Sequence, residues 1–119
     1  MKFILLIHHV EAIDENERAD LLQESIQLAN RLHEGRQYLD AAPLQSVSMT
    51  TSVKVRDGKR IVTDGPFAET REQIGGYFLV DARDQEEAIE IAGRIPGARI
   101  GTVEVRAVRV VEGLPQMQI

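Results

Sequence analysis

The chain has no cysteine and no tryptophan among its 119 residues, and only 4% of its residues are aromatic. Without cysteine, disulfide bonds, thiol nucleophiles and cysteine-ligated zinc or iron–sulfur centres are excluded. No stretch approaches the roughly 20 apolar residues of a membrane span. The apolar run at residues 1–7 is too short for a signal peptide and lacks a small-residue cleavage site. These absences predict a cytoplasmic protein with no membrane partner.

Positive charge is also scarce. The chain has 14 lysines and arginines and 19 aspartates and glutamates, which gives a net charge of −5. A nucleic-acid partner is not expected, since binding a phosphate backbone requires a basic surface. No glycine-rich phosphate loop, His-x-x-x-His pair or EF-hand pattern occurs, so no cofactor or metal site is predicted. The length fits one domain, placed at residues 1–111, with a loosely held tail at residues 112–119.

The N-terminal half predicts a strand and a long helix. Residues 2–8 are apolar on both faces, which is typical of a strand that is buried on both sides. Residues 15–34 carry an apolar stripe at helical spacing, with Asp14 as the N-cap. Gly35 is expected to end the helix in a left-handed conformation. Residues 36–47 are predicted to form a loop that contains at most a short strand at residues 37–39.

Residues 48–63 predict a β-hairpin that turns near Asp57 and Gly58. A two-residue loop would place Lys54 opposite Ile61 and mix polar with apolar side chains on a face. A three-residue loop that includes Arg56 places Val53 opposite Ile61 instead. Because a slip of one residue reverses every side chain, the longer loop is the favoured register.

The C-terminal half repeats the order of strand, helix and strand. Residues 77–80 form a second strand with two apolar faces, and Asp84 caps a helix whose apolar stripe comprises Ala88, Ile89, Ala92 and Ile95. Residues 100–111 form the last strand. Val103, Val105 and Ala107 share one face, while Thr102, Glu104 and Arg106 form a polar row on the other.

This order of elements predicts an α+β fold, a ferredoxin-like sandwich with an inserted β-hairpin. Two helices can cover only one face of the sheet, yet two strands are apolar on both faces. The simplest cover for the second face is the same sheet of a second subunit, so a homodimer is expected. Its two sheets would enclose a cavity that binds a small organic ligand.

The segment Asp64-Gly65-Pro66-Phe67 is the most distinctive turn in the chain. It is either a rigid structural corner or a device that holds the Asp64 carboxylate at a cavity mouth as a base. One helical turn is predicted at residues 68–73, where Glu69 would share a face with Glu72 or Gln73. Such a carboxylate pair could serve acid–base chemistry or could simply be solvated.

Two histidines end the first strand and point to opposite faces. His9 is the candidate proton shuttle at the edge of the inter-sheet space, and a half-buried structural histidine is the alternative. The polar row of Thr102, Glu104 and Arg106 either pairs across strands or lines a ligand pocket, with Arg106 binding an anionic group.

Residues 63–77 resemble the signature of the DGPF proteins, a branch of the YCII-related family, and the likeness extends over nearly the whole chain except the tail. The resemblance implies a ferredoxin-like, dimeric α/β barrel. Some YCII relatives have a proposed His–Asp active site with the histidine on the first helix, where this chain has only His33, near the far end. Asp64 is therefore the one residue that carries over. Many DGPF proteins are encoded beside extracytoplasmic-function sigma factors, which implies a regulatory setting.

Two functional hypotheses follow. In the first, the homodimer binds a small organic ligand and carries out acid–base catalysis, with Asp64 as the base and His9 and Glu69 in support. In the second, the chain is a non-enzymatic sensor or interaction module, and the Asp64–Phe67 corner serves to build the dimer.

Overall fold

The computed structural model describes residues 1–115, so residues 116–119 of the predicted tail lie outside the described part. Within residues 1–115 the predicted strands and helices occur in the predicted order, and a further strand, β2 (Tyr38–Pro43), occupies part of the predicted loop. The elements are β1 (Lys2–His9), α1 (Glu15–Glu34), β2 (Tyr38–Pro43), β3 (Thr51–Arg56), β4 (Lys59–Asp64), β5 (Gln73–Asp81), α2 (Gln85–Arg94) and β6 (Gly101–Ala107). Short 3₁₀ turns occupy Val47–Met49 and Pro96–Arg99.

The main sheet has four strands in the order β2-β5-β1-β6, and every neighbouring pair in it is antiparallel. Strands β3 and β4 pair separately as a two-stranded sheet. The order of the main sheet and its two helices make a mixed α+β fold that is consistent with the ferredoxin-like prediction. Strand β1 lies between β5 and β6, so Leu5 pairs with both Phe78 and Val105.

The core lies between one face of the main sheet and the two helices. Its buried side chains from the sheet include Phe3, Leu5, Phe78 and Val80, and those from the helical layer include Leu28, Leu32, Ile91 and Ile95. Only two of these side chains are aromatic, as the composition of the chain requires. The buried aliphatic and aromatic area drives folding at about 25 cal/mol per Å² removed from water.

The opposite side of the main sheet, here called the open face, is not covered by either helix. Side chains alternate along each strand, and directly paired residues share a face. The cross-strand register therefore assigns the following residues to the open face: Ile4, Leu6, His8, Tyr77, Leu79, Thr102, Glu104 and Arg106. The β1 side chains on this face remain half-buried in the single chain.

Helix α1 has the predicted bounds, but its C-terminal cap was wrongly assigned. Gly35 has a φ of −84°, and the left-handed residue is Arg36, with a φ of 61°. The Arg36 and Gln37 N–H groups donate to the carbonyls of His33 and Leu32, at 3.1 and 2.8 Å. This is a Schellman motif, which requires its left-handed residue one position beyond the cap. The motif therefore places the strained conformation on an arginine.

Replacing Arg36 with glycine should stabilise the protein by about 0.5–1 kcal/mol. A non-glycine residue pays about 1–2 kcal/mol in the left-handed region, and the added flexibility of glycine in the unfolded chain offsets part of that gain. Urea unfolding would measure the change. The matched control is Arg31→Gly within α1, which should instead destabilise by about 1 kcal/mol. An equal loss of unfolding free energy in both variants would contradict backbone strain at Arg36.

The register of the β3–β4 hairpin differs from the predicted one. Arg56 pairs with Lys59 and Val53 with Val62, so the loop has two residues rather than three. Asp57 and Gly58 both have positive φ, 51° and 72°, as in a type I′ turn. This turn matches the strand twist, and it still places Val53, Val55 and Val62 on one face. The prediction of the longer loop overlooked Val62 as the apolar partner.

Two further predictions about the helices are wrong in detail. In α2 the predicted Ala88 and Ala92 are buried together with Ile91, whereas the predicted Ile89 is 52% exposed. Asp84 caps α2 as expected, accepting a hydrogen bond from the Glu87 N–H at 2.9 Å. Asp14 precedes α1 at the N-cap position, but its side chain makes no capping bond.

Three further predictions, about two strands and one loop, also fail. Strand β2 is longer than the predicted residues 37–39, whereas β6 ends at Ala107, short of residue 111. Residues 68–73 do not form a helical turn. The Gln73 side-chain amide donates to the carbonyls of Ala68 and Thr70, at 3.3 and 2.8 Å, and thereby occupies acceptors that a helical turn would use.

Candidate functional site

The Asp64–Phe67 corner is held in place by two hydrogen bonds to the β3 side of the hairpin. The Gly65 N–H donates to the Thr50 carbonyl at 2.8 Å, and the Ser52 hydroxyl donates to the Gly65 carbonyl at 2.7 Å. Gly65 has a φ of 105°, which a residue with a Cβ rarely adopts. The corner is therefore rigid at its base, and it presents Phe67 with 86% of its surface exposed.

A cavity of about 860 Å³ lies between this corner and the ends of β1, β5 and β6, and it is here called the open-face cavity. Its lining brings the corner together with part of the predicted polar row. The residues that matter chemically are His8, Pro66, Phe67, Glu72, Thr102 and Glu104. The corner and the polar row are far apart in sequence, and the loop after β4 brings them to one place.

Within the open-face cavity, His8 and Glu104 form a direct pair. The His8 Nε2 lies 3.0 Å from a carboxylate oxygen of Glu104, and both side chains are only partly exposed. Thr102 donates a longer hydrogen bond, 3.4 Å, to Glu72. An imidazole beside a carboxylate can accept or release one proton near neutral pH, which suits general acid–base chemistry.

The other predicted site residues are distributed differently. His8 and His9 lie on opposite faces, as expected, but His8 is the one that lines the open-face cavity, whereas His9 faces α1. Asp64 and Glu69 are exposed and outside the lining of the open-face cavity. Arg106 is on the open face but also outside that lining. The catalytic roles of Asp64, His9 and Glu69, and ligand binding by Arg106, stay predictions.

Sequence reasoning missed His8 as the partner of Glu104. Strand β1 is apolar on both faces, so its pattern does not say which face carries the helices. The usable signal was the alternation of side chains along β6, in which Val103 and Val105 face the core and the polar row faces away. A register linking β1 to β6 would then have placed His8 beside the polar row, but sequence alone does not supply that register.

A tyrosine–aspartate pair joins β5 and β2 at the β2 edge of the main sheet. The Tyr77 hydroxyl donates a 2.6 Å hydrogen bond to the Asp40 carboxylate. This hydrogen bond, together with desolvation and the negative charge of Asp40, raises the pKa of Tyr77 above its ordinary value of 10.0. The pair therefore keeps the tyrosine protonated at alkaline pH.

We expect this pair to make stability fall as pH rises above about 10. In that range the unfolded tyrosine has lost its proton while the folded one retains it, so each rise in pH favours unfolding. Below pH 10 both states are protonated, and the contribution is fully present. Urea unfolding between pH 8 and 11 would measure the slope, and Tyr77→Phe should reduce it. An unchanged slope in Tyr77→Phe would contradict the assignment.

The family model that matches the chain is the YCII-related domain, and the match covers residues 1–112. The chain belongs to the YCII-related family. It is also 38% identical over 79 residues to an uncharacterized protein of Rhizobium meliloti (strain 1021). That match covers 60% of the chain and 64% of the relative, so it spans a little under two thirds of the relative's length.

No helix within the described residues 1–115 is both long enough and apolar enough to cross a membrane. The same part of the chain contains no group of three or more histidine, aspartate or glutamate side chains arranged to hold a metal ion.

Proposed function

We propose that two copies of this YCII-related chain pack open face against open face, as a dimeric α/β barrel of the DGPF branch, and bind a small organic ligand between their sheets. The His8–Glu104 pair within the open-face cavity is the observation that carries this proposal. An imidazole–carboxylate pair at 3.0 Å, beside a large cavity, is suited to a ligand with a polar reacting group.

The exposed apolar surface supports a second copy as the cover. Phe67 is 86% exposed, and Val53, Val55 and Val62 are each more than half exposed on one face of the hairpin. Large apolar side chains exposed to this extent support an interaction site on this part of the chain. A standard interface buries about 800 Å² on each partner, which is enough for a stable dimer when an aromatic anchor lies near its centre.

The proposed chemistry assigns acid–base work to His8, oriented and charge-balanced by Glu104. Thr102 and Glu72 supply further hydrogen-bonding groups on the same wall of the open-face cavity. Asp64 and Glu69 lie outside this lining, so a role for either residue at the ligand requires the second copy to bring the groups together. Isomerisation and hydrolysis are both within the reach of such a pair.

Two measurements test the proposal. Light scattering at micromolar concentration should give twice the mass of one chain, and a single-chain mass contradicts the dimer. For the ligand site, the three histidines of the chain are separate reporters by NMR. A library of acidic, basic and neutral fragments should yield binders that shift the His8 ring signals and leave those of His33 unchanged. The Glu104→Gln variant should weaken those binders, and failure of every fragment to shift His8 contradicts a ligand site there.

A non-enzymatic interaction module is the second candidate function, and the exposed hairpin favours it. Its valine face and Phe67 could dock a different protein in a sigma-factor-linked regulatory setting. In that case the chain would have the mass of a monomer until the other protein is added, and His8→Gln would leave complex formation intact. Phe67→Ser would abolish it.

A further inference from the structure

A second cavity, of about 360 Å³, lies between α1 and the helix-facing side of the sheet. We propose that this helix-side cavity is a separate binding site for a small apolar molecule with a single carboxylate. Its size falls within the range of small-molecule pockets, about 300–1,000 Å³. It lies on the other side of the sheet from the His8–Glu104 pair, so it requires neither a second copy of the chain nor the activity proposed above.

The helix-side cavity is predominantly apolar and has a definite mouth. Its walls include Ile7, Leu21, Ala29, Phe78 and Ile95. Leu22 and Ile26, one turn apart on α1, also line it, yet each is 44% exposed. Aliphatic side chains that face both a cavity and solvent are expected at the entrance of a binding site, where a bound apolar molecule would cover them.

Glycines keep this space open. A Cβ at Gly97 would lie 2.5 Å from the Ile7 side chain, and a Cβ at Gly75 would lie 2.5 Å from the His9 Nε2. Gly75 is the extra residue of a β-bulge in β5, where the pairing with β1 shifts after Ile7. A larger residue at either position would push a lining side chain into the cavity. The backbone therefore maintains the volume.

The one formally charged side chain in the lining of the helix-side cavity, Arg18, is positive. This lining contains one arginine and one histidine, Arg18 and His9, and no aspartate or glutamate. The chain as a whole has a net charge of −5, so the absence of acidic side chains from this lining is not a reflection of the overall composition. The open-face cavity differs, because Glu72 and Glu104 both line it. An apolar wall with a guanidinium at its edge favours an anionic head group over a cationic one.

His9 is oriented to receive that head group. Its Nδ1 lies 2.9 Å from the Val10 carbonyl, which can only accept, so Nδ1 carries a proton. The Nε2 is thereby directed over Gly75. Nε2 is thus the ring nitrogen left to pair with a carboxyl group of a bound molecule. Arg18 donates to the Glu11 carbonyl, and its guanidinium has further N–H groups to offer a carboxylate.

Octanoate, 1-octanol and octylamine are suitable probes, because they share one apolar chain and differ in the charge of the head group. Octanoate should shift the ring signals of His9 in NMR spectra and leave those of His8 unchanged. Octanol should bind at least about tenfold more weakly and octylamine more weakly still, since one charge-assisted hydrogen bond is worth about a factor of ten or more. Equal affinity for octanoate and octylamine, or no shift of His9 with any probe, overturns the proposal.

Matched variants separate the head group from the cavity. Arg18→Gln should weaken octanoate about tenfold and leave octanol unchanged, whereas Arg94→Gln, at the end of α2 outside the lining, should change neither. Ser25→Leu should weaken all probes by filling the cavity, and its control is Gln27→Leu on the exposed side of α1. If Ser25→Leu does not fold, the octanoate affinity of the surface variant Arg18→Gln still tests the proposed anion site. Octanoate affinity that survives Arg18→Gln contradicts the proposed anion site.

Discussion

Replacing Phe67 with aspartate is expected to separate the proposed dimer into single chains. Phe67 is 86% exposed on a corner that two hydrogen bonds hold rigid, so in the proposed dimer it would be an aromatic anchor with little conformational freedom to lose. An anchor of this kind contributes about 2–4 kcal/mol, and a carboxylate buried in its place adds a desolvation cost. The dissociation constant should therefore rise by about 100-fold or more, as measured by sedimentation velocity over a range of concentrations.

The control for this variant is Ile89→Asp. Ile89 is a large apolar side chain on α2 that is 52% exposed, and it lies on the helical side of the sheet, away from the open face. It should leave the dissociation constant unchanged. If Ile89→Asp dissociates the dimer as strongly as Phe67→Asp does, then the interface is formed by the helical layer, and the open-face assembly is wrong.

The second large effect is expected from Gly101→Ala, which should destabilise the protein by about 3 kcal/mol. A Cβ at Gly101 would lie 2.0 Å from the His8 carbonyl oxygen and 2.9 Å from the His9 Cβ. Because the first of these contacts is with backbone, β1 and β6 must separate to relieve it. The shift should also move His8 away from Glu104. Urea unfolding at a fixed protein concentration measures the loss, since the proposed dimerisation would add a concentration-dependent contribution to the stability.

Gly93→Ala provides a control with the opposite sign. A Cβ at Gly93 meets nothing within 4 Å, and the residue lies in α2, where alanine is the better helix former. This variant should stabilise by about 0.5–1 kcal/mol. If Gly101→Ala is tolerated as well as Gly93→Ala, the close approach of β6 to β1 at this position does not exist in solution.

Local patterns predicted the elements that depend on local physics. Helix α1 has the predicted bounds, and Asp84 caps α2, because helical periodicity and capping act within a few residues. The element order then leads to the ferredoxin-like arrangement, since two strand–helix–strand units can pack their helices on one face. The prediction failed where two local backbone conformations were close in energy. At the end of α1 the left-handed conformation was predicted for Gly35, and it is adopted by Arg36 instead.

The hairpin shows a different kind of failure. Its register was argued from the faces of Val53, Val55 and Ile61, but every residue of β4 is exposed. Burial therefore exerts no control over the register, and the Asp57-Gly58 turn sets it instead. The turn chemistry was visible in the sequence, and it should have been given more weight than apolar alignment.

The candidate site could be predicted only in part. The polar row of β6 and the Asp64–Phe67 corner were both identified, and two of the row's members do line one cavity with Pro66 and Phe67. His8 was missed because its position beside Glu104 depends on pairing between β1 and β6, nearly a hundred residues apart. The helix-side cavity was missed for the same reason, since its glycines come from different elements and matter only once those elements meet.

The order β2-β5-β1-β6 has a consequence for synthesis on the ribosome. Strand β1 is made before the other strands, yet its two neighbours in the sheet, β5 and β6, are made more than 60 residues later. At about 5–20 residues per second, this apolar strand stays unpaired for several seconds, whereas α1 and the β3–β4 hairpin need only local contacts and can form early. An unpaired apolar strand is a template for aggregation. The nascent chain is therefore most in need of a chaperone during the interval before β5 and β6 emerge.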